Sequence, residues 1–421
     1  MKHALFVAFH YPPEASSSGV LRTLKYTRYL VEHGWRATVI APSESAYDIT
    51  DAKLTEQIPQ AVRVIRTRFL NTKRHLSIRG VYPALCAVPD TWIGWLPWAV
   101  AAGRELFRSD PYDLIYSTSP HATAHVIALK LAAFSRKPWV TDFRDPWYED
   151  PPEPGTPNGR LYRWANKMLE RKVIHACTRV VASTTQLRDL LRERYPAEQK
   201  EKILAILNGY DEADFASLPI GEQGSRDRLI MLHAGSINLG FRDPRPLFAA
   251  LRKAADNGAI NLDKICVRFI GPGKFAESDT IRRDVRNLRL EGAIEFLPRV
   301  SYEESLLELS RANLLLLLQA SPDTASLVPA KLYEYLRSYR PVLALVSPGA
   351  TADVVVTTRG GWAVEPEDRH TLQDAIQEIY GLWVQDKLGG VRAEPGVLRQ
   401  FDRRVLTGKL AEVFTEITTN G

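Results

Sequence analysis

The feature that most constrains this chain is a regular alternation. Short apolar runs rich in β-branched and aromatic residues, "ALFVAF", "ATVIA", "DLIYS", "WVTDF", "RVVAS" and "ILAIL", are separated by longer amphipathic segments such as Val20 to His33 and Thr123 to Phe134. Buried parallel strands connected by crossover helices have this signature. The pattern pauses after "LNGYDEADF" at "GEQGSRDR", which reads as a loop or linker, then restarts with "LIMLHAG", "CVRFIG", "IEFLP", "NLLLLLQ" and "PVLALV". "SYEE" opens one helix with a capping box, Ser301 bonding the Glu304 amide and Glu304 reaching back. The expected fold class is α/β: two Rossmann-like, doubly wound parallel-sheet domains facing across a cleft. Their expected spans are 1–210 and 211–385, with a helical segment at 386–421. Ligands of such sheets bind beyond the carboxyl ends of the strands.

Bulk properties exclude several classes. A chain of 421 residues exceeds one ordinary core. Cys86, Cys177 and Cys266 lie far apart with no C-x-x-C pair, against a disulfide framework or cysteine zinc site and in keeping with a reducing, cytoplasmic compartment. "MKHALFVAFHYPPE" reads as a first strand rather than a signal peptide. Pro89, Asp90 and Pro97 interrupt the one membrane-length apolar stretch, Ala84 to Gly103, which argues against a spanning helix. The net charge of +6 suits anions, either phosphates or an acidic bilayer face. No nucleic-acid motif is present, and nucleic acid is not an expected partner.

In the first half, Ser18-Gly19 follow the first strand and precede an amphipathic helix, where glycine admits a ligand to the backbone and helix amides face an anion. The turn lacks G-x-G-x-x-G, so a dinucleotide site is not expected. Arg22, one turn on, either faces the same cleft or is a surface charge. In "STSPHATAH", Ser119 reads as N-cap, Pro120 as first helical residue and His121 as a first-turn imidazole kept neutral by the helix end. His121 either packs or functions. His125 reads as structural, and a zinc pair lacks both its glutamate and a third ligand, so no metal is expected. "WVTDFRDPW" brings Asp142, Arg144 and Asp145 to the strand edge, where they either brace one another or grip sugar hydroxyls. The loop "YEDPPEPGTPNGR" reads as a lid or as disorder.

In the second half, Gly235 allows close backbone approach, Arg242 stands outside a helix start, and Asp243 and Pro244 read as its N-cap and first residue. Pro329 opens another helix that carries Lys331 and Glu334 on one side of its first turns. Lys331 can meet a phosphate and Glu334 a ribose diol; otherwise the two form an intrahelical ion pair worth ~0.2–0.5 kcal/mol.

Taken in order, "FHYPPEASSSGVLRTLKYTRYLVEHGWRATVIAP", "STSPHATAHVIALKL", "PWVTDFRDPW", "LERKVIHACTRVVAST", "ILNGYDEADF", "LHAGS" and "VPAKLYEYLRSYRPVLAL" resemble the family 4-like retaining glycosyltransferases of GT-B architecture. The resemblance implies transfer of a sugar from a nucleotide diphosphate-sugar, bound by the second domain, to a hydroxyl acceptor bound by the first. The acceptor is a small molecule, a growing glycan or a lipid-linked sugar. It implies that Gly19, Gly235, Ser236, Arg242, Lys331, Leu332 and Glu334 contact the donor, that His121, Arg242 and Lys331 serve catalysis, and that Arg22, Asp142, Arg144 and Asp145 bind the acceptor. It implies no metal and no cofactor, and a last helix that returns to the first domain. Two departures stand out. The family's first glutamate falls at Ser326, with Asp323 out of register, and its phosphate-loop lysine is replaced by Arg242. A nucleotide-sugar epimerase, a pseudo-glycosyltransferase or a non-catalytic nucleotide-sugar-binding subunit therefore stays open. For an anionic membrane face, basic residues of "LRTLKYTRYL" with Trp92, Trp95 and Trp98 are the candidate contacts, against core packing of at least two of those tryptophans.

Overall fold

The computed structural model describes residues 1–17, 19–77, 82, 84–148, 159–198, 200–216, 218–219, 224–320 and 324–419. Ser18, residues 149–158 of the expected lid at 148–160, linker residues 221–223 and Asp323 lie outside the described residues. The chain divides into unit 1, Met1–Asn208 with Arg403–Gly421, and unit 2, Gly209–Asp402.

Unit 1 holds seven parallel strands: β1 (Lys2–Ala8), β2 (Trp35–Pro42), β3 (Arg63–Thr67), β4 (Leu114–Thr118), β5 (Trp139–Phe143), β6 (Arg179–Ala182) and β7 (Ile203–Ala205). Their order is β3-β2-β1-β4-β5-β6-β7. The central strand β1 sets Leu5 beside Ile115 and Phe6 beside Tyr116. Its two faces feed two cores. One is packed by α1 (Gly19–Tyr29) and the C-terminal helix Arg403–Thr419, and there Phe414 meets Phe6, Trp35 and Tyr116. The other is packed by α2 (Leu96–Ser109), α3 (Thr123–Ser135) and α4 (Arg160–Ala176). Each core is built from side chains that strand alternation sends to one side. The short edge strand β3, Arg-Val-Ile-Arg-Thr, was not among the expected runs.

Unit 2 repeats the scheme with β8 (Leu229–Ala234), β9 (Ile265–Ile270), β10 (Ile294–Leu297), β11 (Leu314–Gln319), β12 (Val342–Val346) and β13 (Gly361–Val364), ordered β10-β9-β8-β11-β12-β13. Around it lie α5 (Arg245–Asp256), α6 (Tyr302–Arg311) and α7 (Ala330–Arg337). The capping box of α6 forms: Ser301 Oγ accepts the Glu304 amide at 3.2 Å, and the Ser301 amide donates to Glu304 at 3.0 Å. Residues 386–402 stay with unit 2, where Leu388 joins the core and Phe401 packs on Tyr333. Only from Arg403 does the chain belong to unit 1. In each sheet the strand order reverses beside an interior strand, β1 or β8, so the loops after β1, β4 and β5, and after β8 and β11, cluster at the carboxyl ends of their own sheet.

Candidate functional site

In unit 1 the loop after β1 runs from Phe9 to Ser17 and delivers the chain to Gly19, the first residue of α1. A side chain at Gly19 would collide with Arg144: a Cβ built there lies 1.7 Å from Nη1. Glycine thus lets the Arg144 guanidinium rest on the start of α1. Arg144 is placed by its own backbone, whose amide donates to Ser119 Oγ at 2.8 Å and whose carbonyl accepts from Ser183 Oγ at 2.7 Å. Burial lowers its affinity for a proton, Asp145 and Asp142 opposing. Burial raises the Asp145 carboxyl, with Arg144 and His10 opposing.

Arg22 and Asp142 behave differently. Arg22 Nε and Nη2 donate to the two oxygens of Asp142 at 3.0 and 2.7 Å, and both side chains are sealed from solvent, at 2% and 0% exposure. The remaining donors go to Leu207 O and Ile206 O, each at 2.8 Å, and Asn208 Oδ1 at 3.2 Å. Thr118 Oγ1 adds a bond to Asp142 at 2.8 Å. Burial opposes ionisation of Asp142, yet Arg22 and Thr118 hold its carboxyl below the usual range. The acceptor-binding role expected of Arg22 and Asp142 is therefore corrected: their polar groups are consumed inside the unit. Arg144 and Asp145, half-buried at the strand edge, keep that candidacy.

His121 is half-buried in the turn before α3. The helix starts at Thr123, three residues later than expected, and its cap comes from elsewhere in the chain: Asp90 accepts both the Thr123 amide and hydroxyl at 2.8 Å. Ser119 and Pro120 do not open the helix, and Ser119 Oγ instead holds the Arg144 amide. The His121 ring lies against Phe9 at 4.3 Å between centroids and stacks on His10 at 5.2 Å. Burial, followed by the neighbouring His10 and Arg144, holds it well below the usual histidine range, so it is neutral at pH 7. His125 turns into the core, with Nδ1 2.8 Å from Ser117 Oγ and its ring stacked on Phe143. Burial pushes it down to about 4. The two imidazoles do not share a face, and among the described residues no three His, Cys, Asp or Glu side chains converge on a metal position.

In unit 2 the strand–loop–helix after β8 gathers the cations. Gly235 has φ +119, and a Cβ there would sit 2.6 Å from Lys331 Nζ. Lys331 crosses from α7 to donate to Ala234 O at 2.7 Å, and the Ala234 amide donates to the buried Tyr335 hydroxyl at 2.9 Å. Arg242 folds over the same loop, with Nη1 3.3 Å from Ser236 O and Oγ. Burial, with the nearby Arg242 charge, pushes Lys331 down to about 7, Glu334 opposing. Glu334 accepts from Tyr302 at 3.0 Å, and Tyr302 also reaches Asp214 at 3.2 Å. Gly235, Ser236, Arg242, Lys331 and Glu334 are thus brought together. Leu332 is fully buried and its amide donates to Pro329 O at 3.0 Å, so its side chain serves packing. Asp243 accepts the Arg245 amide at 2.9 Å, one residue later than expected for the helix start.

Sequence reasoning missed Tyr302, Tyr335, Asp90 and the pair His10–Glu14, joined at 2.8 Å beside His121. Only the last carried a local signal, a four-residue spacing across Pro12-Pro13. Trp95 is buried and bonded to Thr67 at 2.7 Å, and Trp92 packs on Phe9 and Phe69. Most of α1 is buried as well. No described helix is long and apolar enough to cross a membrane.

Residues 19–209 match the glycosyl transferase 4-like domain. No curated protein matches the chain. Among solved structures, a sucrose-phosphate synthase from Thermosynechococcus elongatus aligns over 100% of both chains at 15% identity, with TM-score 0.70. HepE from Anabaena, solved in complex with UDP, aligns over 99% of this chain and 100% of its own at 16% identity, with TM-score 0.67. A putative UDP-N-acetylglucosamine 2-epimerase from Listeria monocytogenes aligns over 100% and 98% at 10% identity, with TM-score 0.59.

Proposed function

Because residues 19–209 match the glycosyl transferase 4-like domain and the chain has the GT-B fold, we propose that this protein moves a sugar from a nucleotide diphosphate-sugar to a hydroxyl acceptor, with retention of configuration and without a metal or cofactor. The observation that carries this reading is the meeting of Lys331 and Arg242 on the Gly235 loop. Two cations raise one another's cost when both are half-buried, and Lys331 has lost much of its proton affinity there. An anion of more than one charge relieves that cost. The seat lies at the carboxyl edge of β8, where nucleotides bind in such sheets.

In this reading, negative charge grows on the diphosphate as the bond to the sugar breaks. Lys331 and Arg242 meet that charge without reorganising, which is the largest kind of catalytic contribution in a dry site. Glu334, held by Tyr302, takes the ribose. Gly19 and Arg144 offer an amide end and a guanidinium to donor or acceptor, Asp145 accepts from acceptor hydroxyls, and His121 positions the reacting groups. Lys331→Ala and Arg242→Ala should abolish turnover in folded protein, and chelator should leave it unchanged. Turnover near wild type in either variant refutes the assignment.

An epimerase is the second reading. It is favoured by Ser326 in place of the family's glutamate and by the structural similarity to the Listeria protein. Product analysis with nucleotide diphosphate-sugars, with and without an acceptor, separates the two.

One face of α4 supports a membrane setting for the acceptor. Leu161, Trp164 and Met168 are 55%, 60% and 46% exposed and lie on one stripe, flanked by exposed Arg160, Lys167, Arg171 and Lys172. The helix's one acid, Glu170, is buried against Arg194 at 3.0 Å. This apolar and basic face suits an anionic bilayer carrying a lipid-linked acceptor better than α1 or Trp95, which are buried. Wild-type protein should co-sediment with phosphatidylglycerol vesicles and Trp164→Ala/Lys167→Glu should not; equal sedimentation of both removes the membrane role.

A further inference from the structure

The two sheets differ at the place where their strand order reverses. In unit 1, β1 and β4 stay paired to their ends, from Ala4 beside Leu114 to Ala8 beside Thr118. In unit 2, β8 and β11 pair only at Met231 with Leu314 and Leu232 with Leu315. Neither strand ends there. β8 stays with β9 as far as Ala234 beside Ile270, and β11 stays with β12 as far as Gln319 beside Val346. The sheet of unit 2 is therefore split between two intact halves at the carboxyl end of β8.

In this register the next rung of a parallel ladder joins the Ala234 amide to Leu316 O. Both ends of that rung are occupied by side chains instead. The Ala234 amide donates to the Tyr335 hydroxyl at 2.9 Å, and Leu316 O lies 2.9 Å from His233 Nδ1. A carbonyl only accepts, so Nδ1 carries the proton. The split also leaves Ala234 O outside the ladder, and Lys331 Nζ donates to it at 2.7 Å. His233 is 0% exposed, with its ring 6.0 Å from that of Phe269. Burial first and the Lys331 charge second hold it well below the usual histidine range, so the ring is neutral. A buried carbonyl left without a donor is costly. The imidazole N–H is what lets Leu316 O stay out of the ladder.

We propose that His233 is a positioning residue for the donor seat: its bond to Leu316 O holds β8 apart from β11 and keeps Ala234 O for Lys331. The role rests on the reading of Lys331 as a diphosphate contact. Without the imidazole N–H, Leu316 O takes the Ala234 amide and the missing rung closes. Tyr335 then loses its backbone donor, and the Ala234 carbonyl turns into the ladder. Lys331 loses the acceptor that fixes its ammonium beside Gly235.

The test uses the full chain and calorimetry with UDP between pH 7.5 and 8.5. Asparagine offers an amide nitrogen where Nδ1 sits, glutamine offers it one methylene farther out, and leucine offers none. His233→Asn should bind UDP within about threefold of wild type, while His233→Leu and His233→Gln should bind at least about tenfold more weakly. Lost packing alone does not change how affinity depends on pH. Here it should change, because a lysine released from its buried place regains its ordinary proton affinity. His233→Leu should therefore lose the fall in affinity that a Lys331 ammonium at about 7 imposes over this range, and His233→Asn should keep it. His233→Leu that binds UDP within about twofold of wild type, or that keeps the wild-type pH dependence, overturns the proposal. Where His233→Leu fails to fold, the asparagine and glutamine variants decide, and equal binding by the two overturns it. Wild-type protein that binds none of UDP, GDP and ADP overturns the donor-seat reading instead, and this role with it.

Discussion

Lys331 gives the most quantitative handle on the donor seat. In the unliganded protein its ammonium is pushed down to about 7, by burial first and by Arg242 second. A bound diphosphate supplies the missing negative charge and restores the proton. Binding above pH 7 must therefore take up a proton, and affinity must fall as pH rises. With an unliganded value of about 7, the protonated fraction drops about eightfold between pH 7.5 and 8.5, which weakens binding by about 1.2 kcal/mol. The ligand's own last phosphate proton, with a pKa of about 6, is gone in this range and adds no slope. Titration calorimetry with UDP in two buffers of different ionisation enthalpy measures both quantities. Uptake should approach about 0.9 proton at pH 8. Lys331→Arg, charged throughout, should bind with a flat pH dependence. Constant wild-type affinity from pH 7.5 to 8.5, with no proton uptake, refutes the placement of a diphosphate on Lys331.

Three further outcomes follow from contacts described above. Arg22→Leu or Asp142→Asn leaves a buried charge without its partner and should cost about 3–5 kcal/mol in chemical denaturation, while Arg22→Met/Asp142→Leu together recovers part of the loss. Because the Asp142 carboxyl is lowered in the folded state, the stability it contributes is complete above the ordinary carboxyl range, about 4, and is lost as pH falls through the lowered value; a denaturation series from pH 6 downward shows it. Gly235→Ala meets both a φ of +119 and the Lys331 ammonium, and should weaken UDP binding more than it lowers the melting temperature. Ser301→Ala removes the cap of α6, and should cost about 1 kcal/mol in chemical denaturation.

The central strands were legible because burial on both faces writes them as continuous apolar runs, as in Leu314–Gln319. The edge strands β3 and β13 escaped notice for the opposite reason. Arg63, Arg66 and Gly361 break the apolar pattern, since one side of an edge strand has no neighbour to satisfy. The loop and helix that carry Arg242 and Lys331 were also legible, because glycine and proline mark their turns. What sequence could not show is which charges find each other. Arg22 and Asp142 are 120 positions apart, and either one alone reads as a ligand contact. His10 and Glu14 are four apart, yet the proline pair between them conceals the turn that joins them.

The C-terminal helix Arg403–Thr419 places Phe414 against Phe6, Trp35 and Tyr116 in the middle of unit 1. Unit 1 therefore stays incomplete during synthesis until that helix, some two hundred positions beyond its last strand, has been made, while residues 209–402 contain every strand of their own sheet. Deleting residues 403–421 should thus uncover an apolar trench over Phe6, Trp35 and Tyr116 in unit 1, leaving its folding dependent on chaperones.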